Sequence, residues 1–262
     1  MTNTNIKVGI AGMGAIGRAV ARGLTEGIDG YTLHAASDIN PLNEFDIPYL
    51  SFEALCQECD LIIEALPPAI VPQLMPHVFE NEKDVILISS SALLLAPEIL
   101  THPKCKMSRI IVPTGALSGL DGVSALAQMG IKSASIATTK KPMGYSGAPY
   151  ILENQIDLGK IKTKERIFKG NALEAAKAFP ANINVAATLS LAGIGPENTQ
   201  VEIWADPEIG GNTHETKVYG EFSTITSKVE NTPDPANPKS SMLAAQSIIS
   251  VLKKMSAPLV VL

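Results

Sequence analysis

The run Gly12-Met13-Gly14-Ala15-Ile16-Gly17 is the first place where residue type and spacing point to chemistry. Glycine at the first position permits a tight turn. At the third it lets backbone approach a pyrophosphate with no Cβ in the way, and at the sixth it lets a helix pack against a strand. The run follows a strand-like segment and opens a helix-like one, which is the context a dinucleotide fingerprint requires. Gly12, Gly14, Ala15, Ile16 and Gly17 are therefore candidate cofactor-binding residues, with the N–H groups of the helix N-terminus turned to the phosphates. Asp38 lies about twenty residues further on, where a carboxylate accepts hydrogen bonds from ribose hydroxyls and repels a 2′-phosphate. Ile39-Asn40-Pro41 supplies no cation to receive such a phosphate. The pattern predicts NAD as cofactor, with NADP as the alternative.

Hydride transfer needs a proton-transfer group beside the substrate, and histidine has a suitable pKa. Of the four histidines, His34 sits among apolar strand residues, His77 on a helix of the nucleotide half and His102 in a loop. His214 stands apart in the polar run Gly211-Asn212-Thr213-His214-Glu215, as either a catalytic base or a surface strand histidine. Cys56 and Cys59 form a C-x-x-C that lacks both a second ligand pair and a thioredoxin-like setting, so no metal site is predicted.

The elements that must position these groups follow from periodicity. Short apolar runs at Ile6–Ala11, Tyr31–Ser37, Asp60–Leu66, Asp84–Ser89 and Arg109–Val112 alternate with helical patterns at Ala15–Glu26 and Ala69–Phe79. That alternation predicts a parallel, doubly wound Rossmann sheet over residues 1–115. Beyond it, Ser133–Lys140, Thr199–Ala205, Thr213–Phe222 and Thr224–Val229 alternate as half-exposed strands, with helices around Ala172–Phe179 and Asn184–Leu191. Residues 116–236 thus read as a smaller α+β domain with helices on one face of a sheet. Asn231–Pro238 reads as a linker. Residues 237–262 read as a terminal helix, capped by Asn237, started by Pro238, and striped by Met242, Ala245, Ile248, Ile249 and Leu252.

Composition narrows the function classes. The 262 residues are 45% hydrophobic and 18% charged, with a net charge of -5, so there is a full core and no basic excess for a nucleic-acid partner. No apolar run reaches the roughly 18 residues of a membrane span. A polar N-terminus and three unpaired cysteines predict a soluble cytoplasmic protein.

Several longer runs resemble the L-aspartate dehydrogenase family. They are Phe179-Pro180-Ala181-Asn182-Ile183-Asn184-Val185-Ala186-Ala187-Thr188, Ala205-Asp206-Pro207, Asn212-Thr213-His214-Glu215 and Asn237-Pro238-Lys239-Ser240-Ser241. Thr114-Gly115-Ala116, Gly119-Leu120-Asp121 and Thr139-Lys140-Lys141-Pro142 are also similar to it. The resemblance spans the chain in order. It implies oxidation of L-aspartate to iminosuccinate, which hydrolyses to oxaloacetate and ammonia or feeds NAD biosynthesis through quinolinate. It implies His214 as the catalytic residue, cofactor contacts at Ala116 and Asn184, a C-terminal helix returning to the first domain, and a homodimer. Two departures stand out: Thr114 where serine is usual, and Ser91-Ala92 where many members carry Gly-Ala.

Aspartate brings two carboxylates, which call for cations or helix N-termini. Lys141 and Lys239 are candidates for them, against the plainer reading of solvated surface lysines. Asn182 and Thr188 either orient substrate or cofactor or stitch a buried helix, and Asp121 reads as structural. Two other functions fit the same pattern less fully. One is a reductase on another small dicarboxylate or amino acid, such as a dihydrodipicolinate-reductase-like enzyme, since fold alone does not set substrate. The other is a non-enzymatic NAD(H) sensor, which would have no use for His214.

Overall fold

The computed structural model describes residues 5–232 and 241–261. Apolar runs too short for helices become strands covered on both sides. β1 (Ile6–Ala11), β2 (Tyr31–Ser37), β3 (Leu61–Glu64), β4 (Asp84–Leu87) and β5 (Ile110–Ile111) form one wholly parallel sheet in the order β2-β1-β3-β4-β5. The chain leaves β1 for one neighbour and returns to β3 on the other side, which puts a topological switch point at the carboxyl ends of β1 and β3. Helices α1 (Ala15–Glu26), α2 (Phe52–Glu58), α3 (Val71–Glu80), α4 (Ser91–Leu95) and α5 (Glu98–Thr101) connect the strands.

α1 turns Gly17, Val20, Ala21 and Leu24 inward, the i, i+3, i+4, i+7 pattern of one helical face. They share a core with Val8, Ile10, Ile63 and Ile86, and with Ala245, Ile248, Ile249 and Leu252 of the terminal helix. Each such aliphatic side chain contributes about 1.5–3 kcal/mol by leaving water. At Gly23 an added Cβ would stand 2.6 Å from Ile249 Cδ1, so the two helices meet where α1 has no side chain. Residues 5–92, 96–115 and 242–261 form this first compact unit.

β3 and β4 stop short of the expected Leu66 and Ser89, for a physical reason. The N–H groups of Leu66 and Ser89 do not continue the ladder; they donate to the side-chain carboxylate of Glu64, at 2.6 and 3.0 Å. Cys56 and Cys59 are fully buried on and beside α2, where burial pushes their thiols up to about 12 and about 11. They behave as core residues.

The second unit comprises residues 93–95, 116–232 and 241. Its elements are α6 (Leu120–Met129), β6 (Ile131–Lys140), α7 (Pro149–Glu153), β7 (Glu165–Asn171), α8 (Ala172–Ala178), α9 (Asn184–Ala192), β8 (Thr199–Ala205), β9 (Thr213–Gly220) and β10 (Thr224–Glu230). The sheet order is β10-β9-β6-β8-β7; β6 and β8 run parallel, and the other pairs are antiparallel. α6, α8 and α9 pack on one face and on each other. Period-two alternation buries Ala134, Ile136, Val201, Ile203 and Val218 beneath them and leaves Glu215, Lys217 and Tyr219 exposed on the other face. β7 and α6 are elements that periodicity did not predict.

α10 (Met242–Ser256) carries the expected stripe. The expected cap and first residue, Asn237 and Pro238, lie outside the described residues, as does Lys239. Among the described residues no helix is long and apolar enough to cross a membrane.

Candidate active site

In the first unit the glycine run folds as its spacing demands, but its three glycines answer to different neighbours. Gly12 has φ +94°, and a Cβ there would lie 2.4 Å from the Ala65 carbonyl oxygen. At Gly17 a Cβ would sit 1.9 Å from the Gly12 carbonyl oxygen. Protein backbone excludes a side chain at both positions. A Cβ on Gly14 would meet nothing within 4 Å. Gly14 is also the N-cap of α1, and no side chain caps the helix. Open space before a set of uncapped N–H groups suits a phosphate in both shape and charge. Ala15 and Ile16 supply the first of those N–H groups.

Asp38 holds this loop in place. Its Oδ2 accepts from the Met13 N–H at 2.6 Å and its Oδ1 from the Asn40 N–H at 2.8 Å. Each carboxylate oxygen keeps a lone-pair direction for a further donor. Glu64 lies beside Ala11 in the sheet and is fully buried, and among the described residues no cation offsets that burial. Burial raises its carboxyl to about 7, despite the backbone donors from Ser89 and Leu66 that favour the charged form. Ser89 Oγ closes the link by donating to the Leu66 carbonyl at 2.6 Å. One carboxylate thus ties the loops after β3 and β4 together at the switch point.

In the second unit, β9 presents His214 on its buried face, opposite Thr138 of β6. His214 is 4% exposed, and its Nδ1 is 3.0 Å from Thr138 Oγ1. Burial, and then the charge of Lys140, push the imidazole down to about 3, so it is neutral at physiological pH. Lys140 is two residues beyond Thr138 and shares its face. Its ammonium donates to Asn182 Oδ1 at 3.1 Å and lies 5.9 Å from the Tyr145 ring centre. Burial lowers its pKa to about 8. Tyr145, itself fully buried, donates to the Trp204 carbonyl at 3.1 Å and braces this corner. Burial and the neighbouring cation both oppose protonation of this imidazole, so an anion bound beside Lys140 would make it a stronger base.

The other residues fall as follows. Lys141 is exposed, in contrast to its neighbour Lys140. Asn184 is the first residue of α9, and Thr188 is buried one turn further along the same helix. Ala116 is buried at the start of the second unit, and Asp121 lies in the first turn of α6, where its charge suits the helix dipole. Ser91 and Ala92 are buried at the start of α4. Thus His214, Thr138, Lys140 and Asn182 form one cluster, while the glycine loop and Asp38 form another within the first unit. Thr138, Lys140 and Glu64 were not singled out by residue type and spacing. Among the described residues no three His, Cys, Asp or Glu side chains gather as a metal site would require.

Comparison with known proteins adds the following. Residues 121–255 match the family model described as aspartate dehydrogenase, C-terminal. L-aspartate dehydrogenase 3 of Bordetella bronchiseptica is 39% identical over 260 residues, covering 96% of this chain and 95% of that protein. L-aspartate dehydrogenase of Methanosarcina acetivorans is 39% identical over 265 residues, covering 97% and 98%. The crystal structure of aspartate dehydrogenase from Thermotoga maritima matches with a TM-score of 0.73 at 27% identity, over 98% of this chain and 99% of that one. That of scyllo-inositol dehydrogenase from Lactobacillus casei matches at 0.56 with 16% identity, over 97% and 87%, a likeness of fold.

Proposed function

This chain belongs to the L-aspartate dehydrogenase family, and on that premise we propose that it oxidises L-aspartate reversibly to iminosuccinate, with NAD as the preferred cofactor. The imine is then hydrolysed to oxaloacetate and ammonia or passed on for NAD biosynthesis. The observation that carries this reading to particular atoms is the buried, neutral His214, oriented by Thr138 and flanked by Lys140.

A bound nicotinamide supplies a hydride acceptor at the substrate α-carbon. With Nδ1–H donating to Thr138 Oγ1, His214 Nε2 is free to take a proton from the substrate ammonium. The freed amine lone pair then closes the C=N bond as hydride leaves the α-carbon. Once that first proton has passed to solvent, the same Nε2 takes a proton from water as its oxygen adds to the imine carbon; it then returns the proton to the nitrogen, which departs as ammonia while the new hydroxyl gives up its own proton to form the C=O. Gly12, Gly14, Ala15, Ile16 and Gly17 cradle the pyrophosphate, with Ala116 and Asn184 as the further cofactor contacts of the family. Asp38 favours NAD, because a 2′-phosphate would bring like charge to it and residues 39–41 hold no cation. Asn182, Thr188, Lys141 and Lys239 are the candidates around the substrate. A homodimer in the cytoplasm accompanies this reading.

The test is NADH oxidation by the purified protein with oxaloacetate and ammonium, repeated with NADPH, and with aspartate plus NAD in reverse. Ammonium-dependent turnover, faster with NADH, is the expected result. NADH binding without such turnover overturns the proposal.

A further inference from the structure

Lys140 ends β6, and strand alternation sets it on the face that carries Ala134, Ile136 and Thr138. Thr138 pairs with His214 across the β6–β9 ladder, so Lys140 stands one diagonal step from His214 on the same face. Such diagonal neighbours are about 7–8 Å apart at the backbone, and long side chains close that gap. Among the described residues the ammonium's one hydrogen-bond partner is the neutral amide oxygen of Asn182, with an aromatic ring at 5.9 Å. Among the described residues no carboxylate pairs with it, and none offsets its burial electrostatically. The lysines that do form ion pairs among the described residues, Lys104, Lys160, Lys169 and Lys228, are themselves exposed.

A half-buried ammonium without a counterion is destabilised, because one amide oxygen and a ring face replace only part of the hydration it loses. Two of its three N–H donors remain for a ligand. An anion arriving there regains the missing charge pairing, and water cannot compete well in an enclosed corner. The span also fits a dicarboxylate. In aspartate the amine nitrogen and the side-chain carboxylate oxygens are roughly 4 Å apart, by ordinary bond lengths. With a hydrogen bond of about 3 Å at each end, bent rather than collinear, the molecule's reach is of the order of the diagonal step between the two strand positions.

We infer that Lys140 is the specificity-determining residue of this site: it receives the side-chain carboxylate of the substrate while His214 works at the α-amine. The inference rests on the aspartate reading given above. It assigns to Lys140 a role for which the chain offers Lys141 as an adjacent and exposed alternative. Asn182 becomes a positioning residue that aims the ammonium.

The experiment compares wild type with Lys140→Met and Lys140→Gln, the second of which keeps a donor for Asn182. Three quantities are read: kcat and KM for oxaloacetate with ammonium and NADH; inhibition by L-malate, which has both carboxylates, and by L-lactate, which lacks the second; and NADH affinity by fluorescence. Expected in both variants are a rise of about 100-fold in KM for oxaloacetate, L-malate inhibition reduced to the level of L-lactate, and unchanged NADH affinity. An unchanged KM, or a fall in kcat alone, overturns the assignment. So does equal weakening of malate and lactate, which would put the α-carboxylate on Lys140. A wild-type protein that binds NADH but shows no ammonium-dependent turnover overturns the underlying reading instead, and the wild-type arm shows this before any variant is compared.

Discussion

The two units hold their polar groups on different terms. In the first, Gly12 and Gly17 are what the fold itself demands, since protein backbone stands where a side chain would go. In the second, His214, Thr138 and Lys140 lie on the inward face of a sheet whose other inward positions include Ala134, Ile136, Val201, Ile203 and Val218, with Thr216 the polar one among them. Apolar residues there would pack as well and avoid the cost of burying polar groups. Residues that a fold needs are lost at the expense of stability. Residues that a fold merely tolerates are lost at the expense of chemistry. The largest test of that contrast is His214→Ala. It should lower kcat by roughly 10²–10⁴-fold while circular dichroism and NADH affinity stay near wild type. Near-wild-type turnover would remove His214 from the mechanism.

Gly17→Ala should behave in the opposite way. In an exposed helix this exchange is favourable by about 1 kcal/mol. Here the new methyl would press on the Gly12 carbonyl oxygen, and the loop or helix must move. A loss of about 3–4 kcal/mol is expected in urea denaturation, with NADH binding lost alongside it. An unchanged unfolding midpoint would show that the glycine answers to the ligand and not to the fold.

The same contrast explains what could be read from the chain alone. The glycine run, Asp38 and the strands around them are local in sequence, and their spacing carries the geometry. The ends of β3 and β4 were not legible, because Glu64 draws in the Ser89 N–H from 25 residues away. β7 was missed because its register shifts between Arg166 and Phe168, which interrupts its alternation; pairing with β8 makes it a strand. Lys140 left a usable trace. Ala134, Ile136 and Thr138 mark the inward positions of β6, and the next of that parity is Lys140, while Lys141 falls outside the strand. Family-like runs drew attention to Lys141, whereas the period of two points to Lys140.

The titratable groups of the two units also pull stability in opposite directions with pH. The Glu64 carboxyl is raised from 4.5 to about 7 in the fold, so the folded state holds more protons between those values. Its contribution is fully present below about 4.5 and is lost as pH climbs to 7, on the order of 3 kcal/mol. His214 is lowered from 6.5 to about 3, so its contribution is present above 6.5 and is lost as pH falls toward 3. Melting temperatures of wild type and Glu64→Gln from pH 4 to 8 separate the two. The variant should lose the decline between 4.5 and 7 and keep the acid-side decline, at a constant cost of about 1–3 kcal/mol for a misdirected amide. Parallel curves would mean that Glu64 is charged throughout.

The smallest effect on stability, and the sharpest on the comparison, belongs to Gly14→Ala. Its φ of −68° suits any residue, and the new methyl meets no protein atom. Alanine at an N-cap in place of glycine costs roughly 0.5–1 kcal/mol, so the melting temperature should fall by only a few degrees. The methyl would instead occupy the space against which a pyrophosphate must lie, and NADH affinity should fall by about 10- to 100-fold in a fluorescence titration. Gly12 and Gly17 would then belong to the fold and Gly14 to the cofactor, within one six-residue motif. If NADH binds Gly14→Ala as tightly as wild type, the pyrophosphate does not lie against this turn, and the space before α1 serves another part of the ligand.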